Sequence, residues 1–274
     1  MRNNRSFTIF LFITFQFAFQ YLYEQLHYME LTSQQKKESE AFYVQALALL
    51  DESKTPYLLG GAFAFFKYTG IYRDTKDLDV FCKSSEYTKI LKFFSGKGYQ
   101  TEISDARWLA KIFSGEYYID LIFDTVNSIC RVDDFWYEHA TEGELFGVPV
   151  KFISAEDLIW CKIYVQNRER YDGADVNHII LKRGNELNWN RLYKKFDQHW
   201  HLLLGALINF QFVYPSERNR VPQDLFIELI RRAEEQYDLP IPGEKVCMGP
   251  IIDQTQYMTD IKDWNYKVIT MKSI

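Results

Sequence analysis

The sequence predicts an α/β (α+β) chain, a mixed sheet flanked by helices and followed by a helical C-terminal region. Three observations predict it. Short apolar runs bounded by glycines alternate with helix-length stretches up to about Phe152, and Tyr117 to Asp124 (YYIDLIFD) is the most strand-like of these runs. From Ser154 onward that alternation gives way to a capping-box pattern and a succession of helical spacings. Hydrophobic residues at 47% and charged residues at 25% are ordinary globular values, which excludes disorder, collagen-like repetition and a disulfide-framed miniprotein.

Taken in order, Arg2 and Arg5 precede an apolar run from Phe7 to Phe19 that imitates a secretory signal but lacks a small-x-small cleavage site. The run is also too short for the about twenty residues that a bilayer span needs. Residues 1–29 are therefore read as a dispensable extension or one with a misassigned start, Met29 being the alternative start; membrane association through residues 6–23 is the competing reading. Ser33 to about Leu50 has Phe42, Ala46, Leu49 and Leu50 at helical spacing. Tyr57-Leu58-Leu59 is a short strand halted by Gly60-Gly61, and Ala62 to Tyr68 is a helix that Gly70 ends.

Leu78 to Cys82 reads as the second strand, Glu86 to Phe94 as a helix and Tyr99 to Ile103 as the third strand. A hairpin is expected at Gly115, between Ala110–Phe113 and Tyr117–Asp124. A further strand pair flanks Gly147, with Pro149 confining it to a sheet edge. Ser154-Ala-Glu-Asp should launch a helix from about Ala155 to Arg170. Helices are then expected over Ala174–Lys182, Trp189–Trp200, Leu202–Tyr214 and Pro222–Tyr237, while the stretch from Pro240 onward shows no periodicity.

The 274 residues carry a net charge of -5, which argues against a protein that grips extended nucleic acid through a bulk positive field. Cys82, Cys130, Cys161 and Cys247 show neither CxxC nor metal-finger spacing, so they read as free thiols in a reducing compartment. Phe, Tyr and Trp reach 17%, enough aromatic area for a sizeable core.

The chemistry concentrates in two short segments. Asp77 and Asp79, at i and i+2 near a strand start, point to one side of the sheet, and their repulsion must be offset by exposure or by a cation such as Mg2+. Gly60 and Gly61 let a backbone turn approach a ligand, and the amides of the following helix can receive phosphate oxygens. Asp120, flanked by Ile119, Leu121 and Ile122, is a carboxylate that would be costly alone and is the natural third ligand of a two-metal site. Asp124 shares its face but reads more simply as a turn residue. Arg73 and Lys76 either neutralise phosphates or pair with the acidic residues beside them.

Gly60-Gly61, Asp77-x-Asp79 in a strand and Asp120 in a later strand resemble the nucleotidyltransferase superfamily, which includes DNA polymerase beta, CCA-adding enzymes, aminoglycoside nucleotidyltransferases and abortive-infection toxin-type proteins. The resemblance covers roughly residues 40 to 185. It implies that Gly60 and Gly61 hold nucleotide phosphates, that Asp77 and Asp79 bind magnesium, and that Asp120 completes the metal site or acts as base. The interval from the glycines to Asp77 is slightly long for the superfamily, and a second glycine stands where serine is commoner, as in the CCA-adding and toxin-like branches. The helical segment Glu156–Lys162 with Arg168, Arg170, Asp172 and Asp175 is similar to the part that follows the catalytic domain, where a lysine and an arginine can face the nucleotide. Lys162 and Arg170 read from the residues alone are as readily surface charges or ion-pair partners of Glu169 and Asp172.

The pattern along the chain divides it into the extension 1–29, a part over 30–153 that the resemblance makes the catalytic domain, a helical region 154–239 and a tail 240–274. The resemblance implies an enzyme using two Mg2+ ions and an NTP, transferring a nucleoside monophosphate to an acceptor hydroxyl with release of pyrophosphate, and the free thiols place it in the cytoplasm. Two alternatives stand beside it. One is a toxin-like regulatory enzyme held in check by an antitoxin-like protein partner, for which the aromatic helices between Trp189 and Tyr214 offer a surface; the other is a non-catalytic nucleotide-binding module.

Overall fold

The computed structural model describes residues 32–269. The expectations for residues 1–29, for Met29 as a start and for membrane association through 6–23 lie outside the described residues. Among the described residues no helix is long and apolar enough to cross a membrane.

Thr32 caps α1 (Ser33–Glu52) through a full capping box with Gln35, and Phe42, Tyr43, Ala46, Leu47 and Leu50 form its buried stripe. Next come β1 (Leu58–Leu59), α2 (Gly61–Thr69), β2 (Asp77–Phe81), α3 (Tyr87–Gly96), β3 (Gln100–Asp105), β4 (Leu109–Ser114) and β5 (Tyr117–Ile122). A short α4 (Asp134–Glu138) precedes the hairpin β6 (Thr141–Leu145) and β7 (Val148–Phe152). The strands build one seven-stranded mixed sheet in the order β3-β4-β5-β2-β1-β7-β6. β2 therefore lies at its centre, paired antiparallel to β1 and parallel to β5.

Both expected turns form, and the one at Gly147 has positive φ at Phe146 as well, the paired conformation that a two-residue hairpin favours. As expected, the pair flanking Gly147 stands at the sheet edge, with β6 outermost and Pro149 in β7, one strand in. The proline is tolerated there because β1 is so short: its only partner in β7 is Phe152, so the Pro149 end has β6 alone beside it.

The helical part is α5 (Ala155–Ile163), α6 (Gly173–Arg183), α7 (Trp189–Lys195), α8 (Trp200–Val213) and α9 (Gln223–Glu235). Two helices are shorter than their sequence patterns predict. The one expected to reach Arg170 stops at Ile163, after which Gln166 and Tyr171 form an isolated bridge and the Asn167 side chain accepts the Arg170 amide at 2.7 Å. No Pro or Gly marks this break. The helix expected over Trp189–Trp200 ends at Lys195, and a 3-10 turn over Asp197–His199 reorients the chain into α8. Beyond Pro240, two short parallel strands, β8 (Val246–Cys247) and β9 (Lys267–Val268), bracket α10 (Met258–Lys262).

Aromatics join these parts. Trp136, Tyr43, Phe65, Phe94, Phe123 and Phe152 are among the largest fully buried side chains. The start of α5 is fixed by charge, because Asp157 is fully buried and takes hydrogen bonds from Ser154 Oγ and from Arg191, with Lys195 Nζ at 2.8 Å. Arg191→Met should lower stability by about 3 kcal/mol in urea denaturation, since Asp157 keeps only Lys195 as a charged partner in a buried position.

Candidate active site

The central strand pair decides where the carboxylates go. Parallel pairing of β2 with β5 sets Asp79 directly beside Asp120, and the two-residue period puts Asp77 on the same face while Leu78 and Val80 are fully buried on the other. One oxygen from each of Asp77, Asp79 and Asp120 lies within 4.8 Å of the others. Burial, followed by the charges of Asp77 and Asp120, pushes the Asp79 carboxyl up to about 7, against the pull of Arg170 and Lys162. Burial also raises Asp120, opposed by Lys111, which stands opposite it in the β4–β5 pairing and donates to Oδ1. Thr75 donates to Asp77, and the Thr75 carbonyl is anchored by Tyr43 Oη at 2.9 Å.

The glycine turn presses on this cluster. Gly61 has φ of +51°, and a Cβ there would lie 1.6 Å from Asp79 Oδ2. The Gly60 amide donates to the Asp79 carbonyl at 2.9 Å, and a Cβ on Gly60 would strike the Phe81 ring at 2.2 Å. Both positions thus lack room for a side chain, and the unpaired amides of the first turn of α2 begin beside the carboxylates.

The facing wall is a chain of alternating charges. Lys162 Nζ reaches Asp172 Oδ2 and Asp175 Oδ2, each at 2.7 Å; Arg170 binds both oxygens of Asp172 at 2.8 Å; and Arg73 binds both oxygens of Asp175, its Nη1 at 3.0 Å. Burial raises Asp172 and Asp175, but the hydrogen bonds from Arg170, Arg73 and Lys162, together with their charge, outweigh it and hold both below the ordinary carboxylate range. Lys162 is buried, whereas the Arg170 side chain is 66% exposed, so Arg170 is the cation more open to a ligand. The loop after α5 carries Arg170 here, which an uninterrupted helix would not allow.

Between these walls lies a cavity of about 780 Å³, within the size range of small-molecule sites. Asp77, Asp79, Asp120, Gly61, Arg73 and Lys162 line it. Gly60 stands behind Gly61 rather than on the cavity surface, and Lys76 is directed to Glu116 at 3.1 Å, away from the lining. Asp124 does line the cavity, its Oδ1 accepting from the Thr125 amide at 2.7 Å. No sequence motif marks Lys111, although counting outward from the turn at Gly115 pairs it with Asp120.

A mixed sheet of this order, with a glycine turn against a carboxylate-bearing central strand pair and helices after it, has the architecture of the nucleotidyltransferase class. A family profile described as "Nucleotidyl transferase of unknown function (DUF2204)" matches residues 39–199, more than half of the chain, and the protein belongs to that family. No curated protein matches the sequence. Among solved structures it is similar to the antibiotic-resistance factor ANT(2'')-Ia (16% identity, 61% of this chain and 95% of that chain, TM-score 0.45). It is also similar to an antigenic nucleotidyltransferase-like protein from Paracoccidioides brasiliensis (20%, 67% and 92%, TM-score 0.46). A third similar structure is the lincosamide antibiotic adenylyltransferase LnuA (20%, 52% and 95%, TM-score 0.38). Likenesses of this degree carry no weight for the reaction.

Two outcomes test the geometry. Gly61→Ala should destabilise the fold by about 2 kcal/mol or more in urea denaturation, through left-handed strain and displacement of Asp79. Asp79 has an ordinary value of 3.8 and a folded value near 7, so the folded state holds more protons between them. Stability relative to Asp79→Asn should therefore be highest below about pH 4, fall as pH rises towards about 7 and level off above it. A difference that is flat across that window would contradict the crowding of Asp79.

Proposed function

We propose that the protein transfers a nucleoside monophosphate from an NTP to an acceptor hydroxyl, releasing pyrophosphate, with Asp77, Asp79 and Asp120 as its catalytic carboxylates. The observation that carries this reading is the convergence of those three carboxylates beside the glycine turn, in a chain of the nucleotidyl transferase family. The cluster fits a divalent cation, because three crowded oxygens and a carboxyl raised to about 7 describe negative charge in want of neutralisation. Asp77 and Asp79 would hold Mg2+, two ions in the full site, with Asp120 completing the ligands. When bound there, Mg2+ supplies charge neutralisation for the triphosphate and acidifies the acceptor hydroxyl.

The remaining work falls to the chain itself. The amides at the start of α2, reached past Gly61, receive phosphate oxygens, and Gly60 is the turn residue that permits this approach. Arg170 on the opposite wall offers an exposed guanidinium to the departing pyrophosphate, while Lys162 and Arg73 keep that wall positive by gripping Asp172 and Asp175. Asp120 positions the acceptor hydroxyl and takes its proton. The acceptor oxygen bonds to the α-phosphorus as the bond to the β-phosphate oxygen breaks, and pyrophosphate leaves with that oxygen. Lys111 holds Asp120 in place from the neighbouring strand.

In this reading residues 30–153 are the catalytic domain and the helices from 154 to 239 form the far wall. The acceptor is a small molecule, a protein side chain or a nucleic-acid end held locally, since a net charge of -5 disfavours an extended polyanion. Four free cysteines fit a reducing, cytoplasmic setting.

Incubation with α-labelled NTPs, Mg2+ and a cell extract should move label to an acceptor. Asp77→Asn and Asp79→Asn should each lower that transfer by about 10²-fold or more while the proteins stay folded by circular dichroism. Transfer at wild-type rates in both variants would overturn the assignment.

A further inference from the structure

Lys162 and Tyr171 border a second, smaller cavity of about 280 Å³ as well as the active cleft. It lies between the end of α5, the start of α6 and the middle of α8. Its character differs from that of the cleft: no carboxylate lines it, and besides Lys162 and Tyr171 its polar side chains are the carboxamides of Gln166, Asn177 and Asn209 and the imidazole of His201, whose Nε2 lies 2.8 Å from Gln236 Oε1. The Lys162 ammonium is already held by Asp172 and Asp175. A wall rich in amides suits an uncharged, hydrogen-bonding ligand. The volume is just below the about 300 Å³ at which sites for whole drug-sized ligands begin, so it fits a ring system rather than a complete nucleotide.

Three side chains sharpen the fit. Asn177 is 5% exposed, and its Nδ2 donates to Asn209 Oδ1 at 2.8 Å, which leaves Asn177 Oδ1 and Asn209 Nδ2 as an acceptor and a donor for a ligand. Nucleobase edges present the complementary pair. The phenol end of Tyr171 lies flat on the Gly173 backbone, where a Cβ would be 2.1 Å from Cζ, yet the residue is 58% exposed. The ring is thus braced at its phenol end and largely exposed beside the cavity, which leaves area on which a planar ligand can stack.

Gly205 points the same way. It sits inside α8, where glycine costs about 0.5–1 kcal/mol relative to alanine, and no protein atom lies within 4 Å of where its Cβ would be. Gly205 is exposed where it borders the cavity, so the open space beside it adjoins the cavity mouth.

We propose that this second cavity receives the nucleobase of the NTP, stacked on Tyr171 and read by Asn177 and Asn209, while the triphosphate lies in the carboxylate cleft. The proposal rests on the nucleotidyl-transfer reading of that cleft. Binding of each of the four NTPs and of inorganic tripolyphosphate, all with Mg2+, separates the two by isothermal titration. Gly205→Leu, which adds bulk at the cavity mouth without meeting protein atoms at its Cβ, should weaken NTP binding by about tenfold or more and leave tripolyphosphate binding unchanged. Tyr171→Ala should act in the same direction, with Tyr171→Phe close to wild type. Gly205→Ala, which favours the helix, guards against misfolding of the larger variant and should show the same selectivity in smaller measure.

NTP affinity that stays at the wild-type value in folded Gly205→Leu and Tyr171→Ala would overturn the base site. So would a change confined to the KM for the acceptor, which would give the cavity to the acceptor. A wild-type protein that binds neither NTP nor tripolyphosphate would instead overturn the reading of the cleft, and this proposal with it.

Discussion

Parallel pairing between β2 and β5 places Asp79 against Asp120, with Asp77 two residues away on the same face, and most of the surrounding structure answers the charge that this creates. Three carboxylates with oxygens within 4.8 Å of one another repel, and their half-buried position removes much of the screening that water would give. Lys111 reaches Asp120 from β4, Thr75 donates to Asp77, and Arg170 and Lys162 draw Asp79 back towards ionisation from across the cleft. Asp79 nevertheless stays raised. The protein alone thus leaves the cluster short of positive charge, the condition under which a divalent cation binds most favourably.

The opposite wall solves the reverse problem. Three cations, Arg73, Lys162 and Arg170, converge from the segment after α2, from α5 and from the loop beyond it, and Asp172 and Asp175 hold them together. The network holds two more carboxylates below their ordinary range and fixes the loop over the cleft. It also joins the sheet to the helices, because Arg73 precedes β2 whereas Asp175 lies in α6. Helical packing and the electrostatics of the cleft are for this reason parts of one arrangement.

Much of this was legible in the sequence, and the reasons are local. Asp77, Asp79 and Asp120 stand out because apolar neighbours at strand spacing make a carboxylate expensive there, and Gly60-Gly61 stands out because few turns need two glycines before a helix. What was not legible depends on tertiary contacts. The end of α5 at Ile163 has no proline or glycine to announce it; the Gln166–Tyr171 bridge and the Asn167 side chain impose it, and they decide where Arg170 points. Lys76 is as suitable as Arg73 by residue type, yet the β4–β5 turn offers it Glu116 while Arg73 finds Asp175. Lys111 was recoverable by counting from the turn at Gly115, but its importance follows only once Asp120 is known to crowd Asp79.

The central claim, that these three carboxylates form a metal site for a nucleotide, is tested most directly by diffraction from crystals grown with Mn2+ and a non-hydrolysable NTP analogue, collected at an energy where manganese scatters anomalously. The account predicts an anomalous peak among the carboxylates of Asp77, Asp79 and Asp120, with the triphosphate leading from it towards Gly61. Bound nucleotide with manganese elsewhere, or with none at these residues, would contradict it.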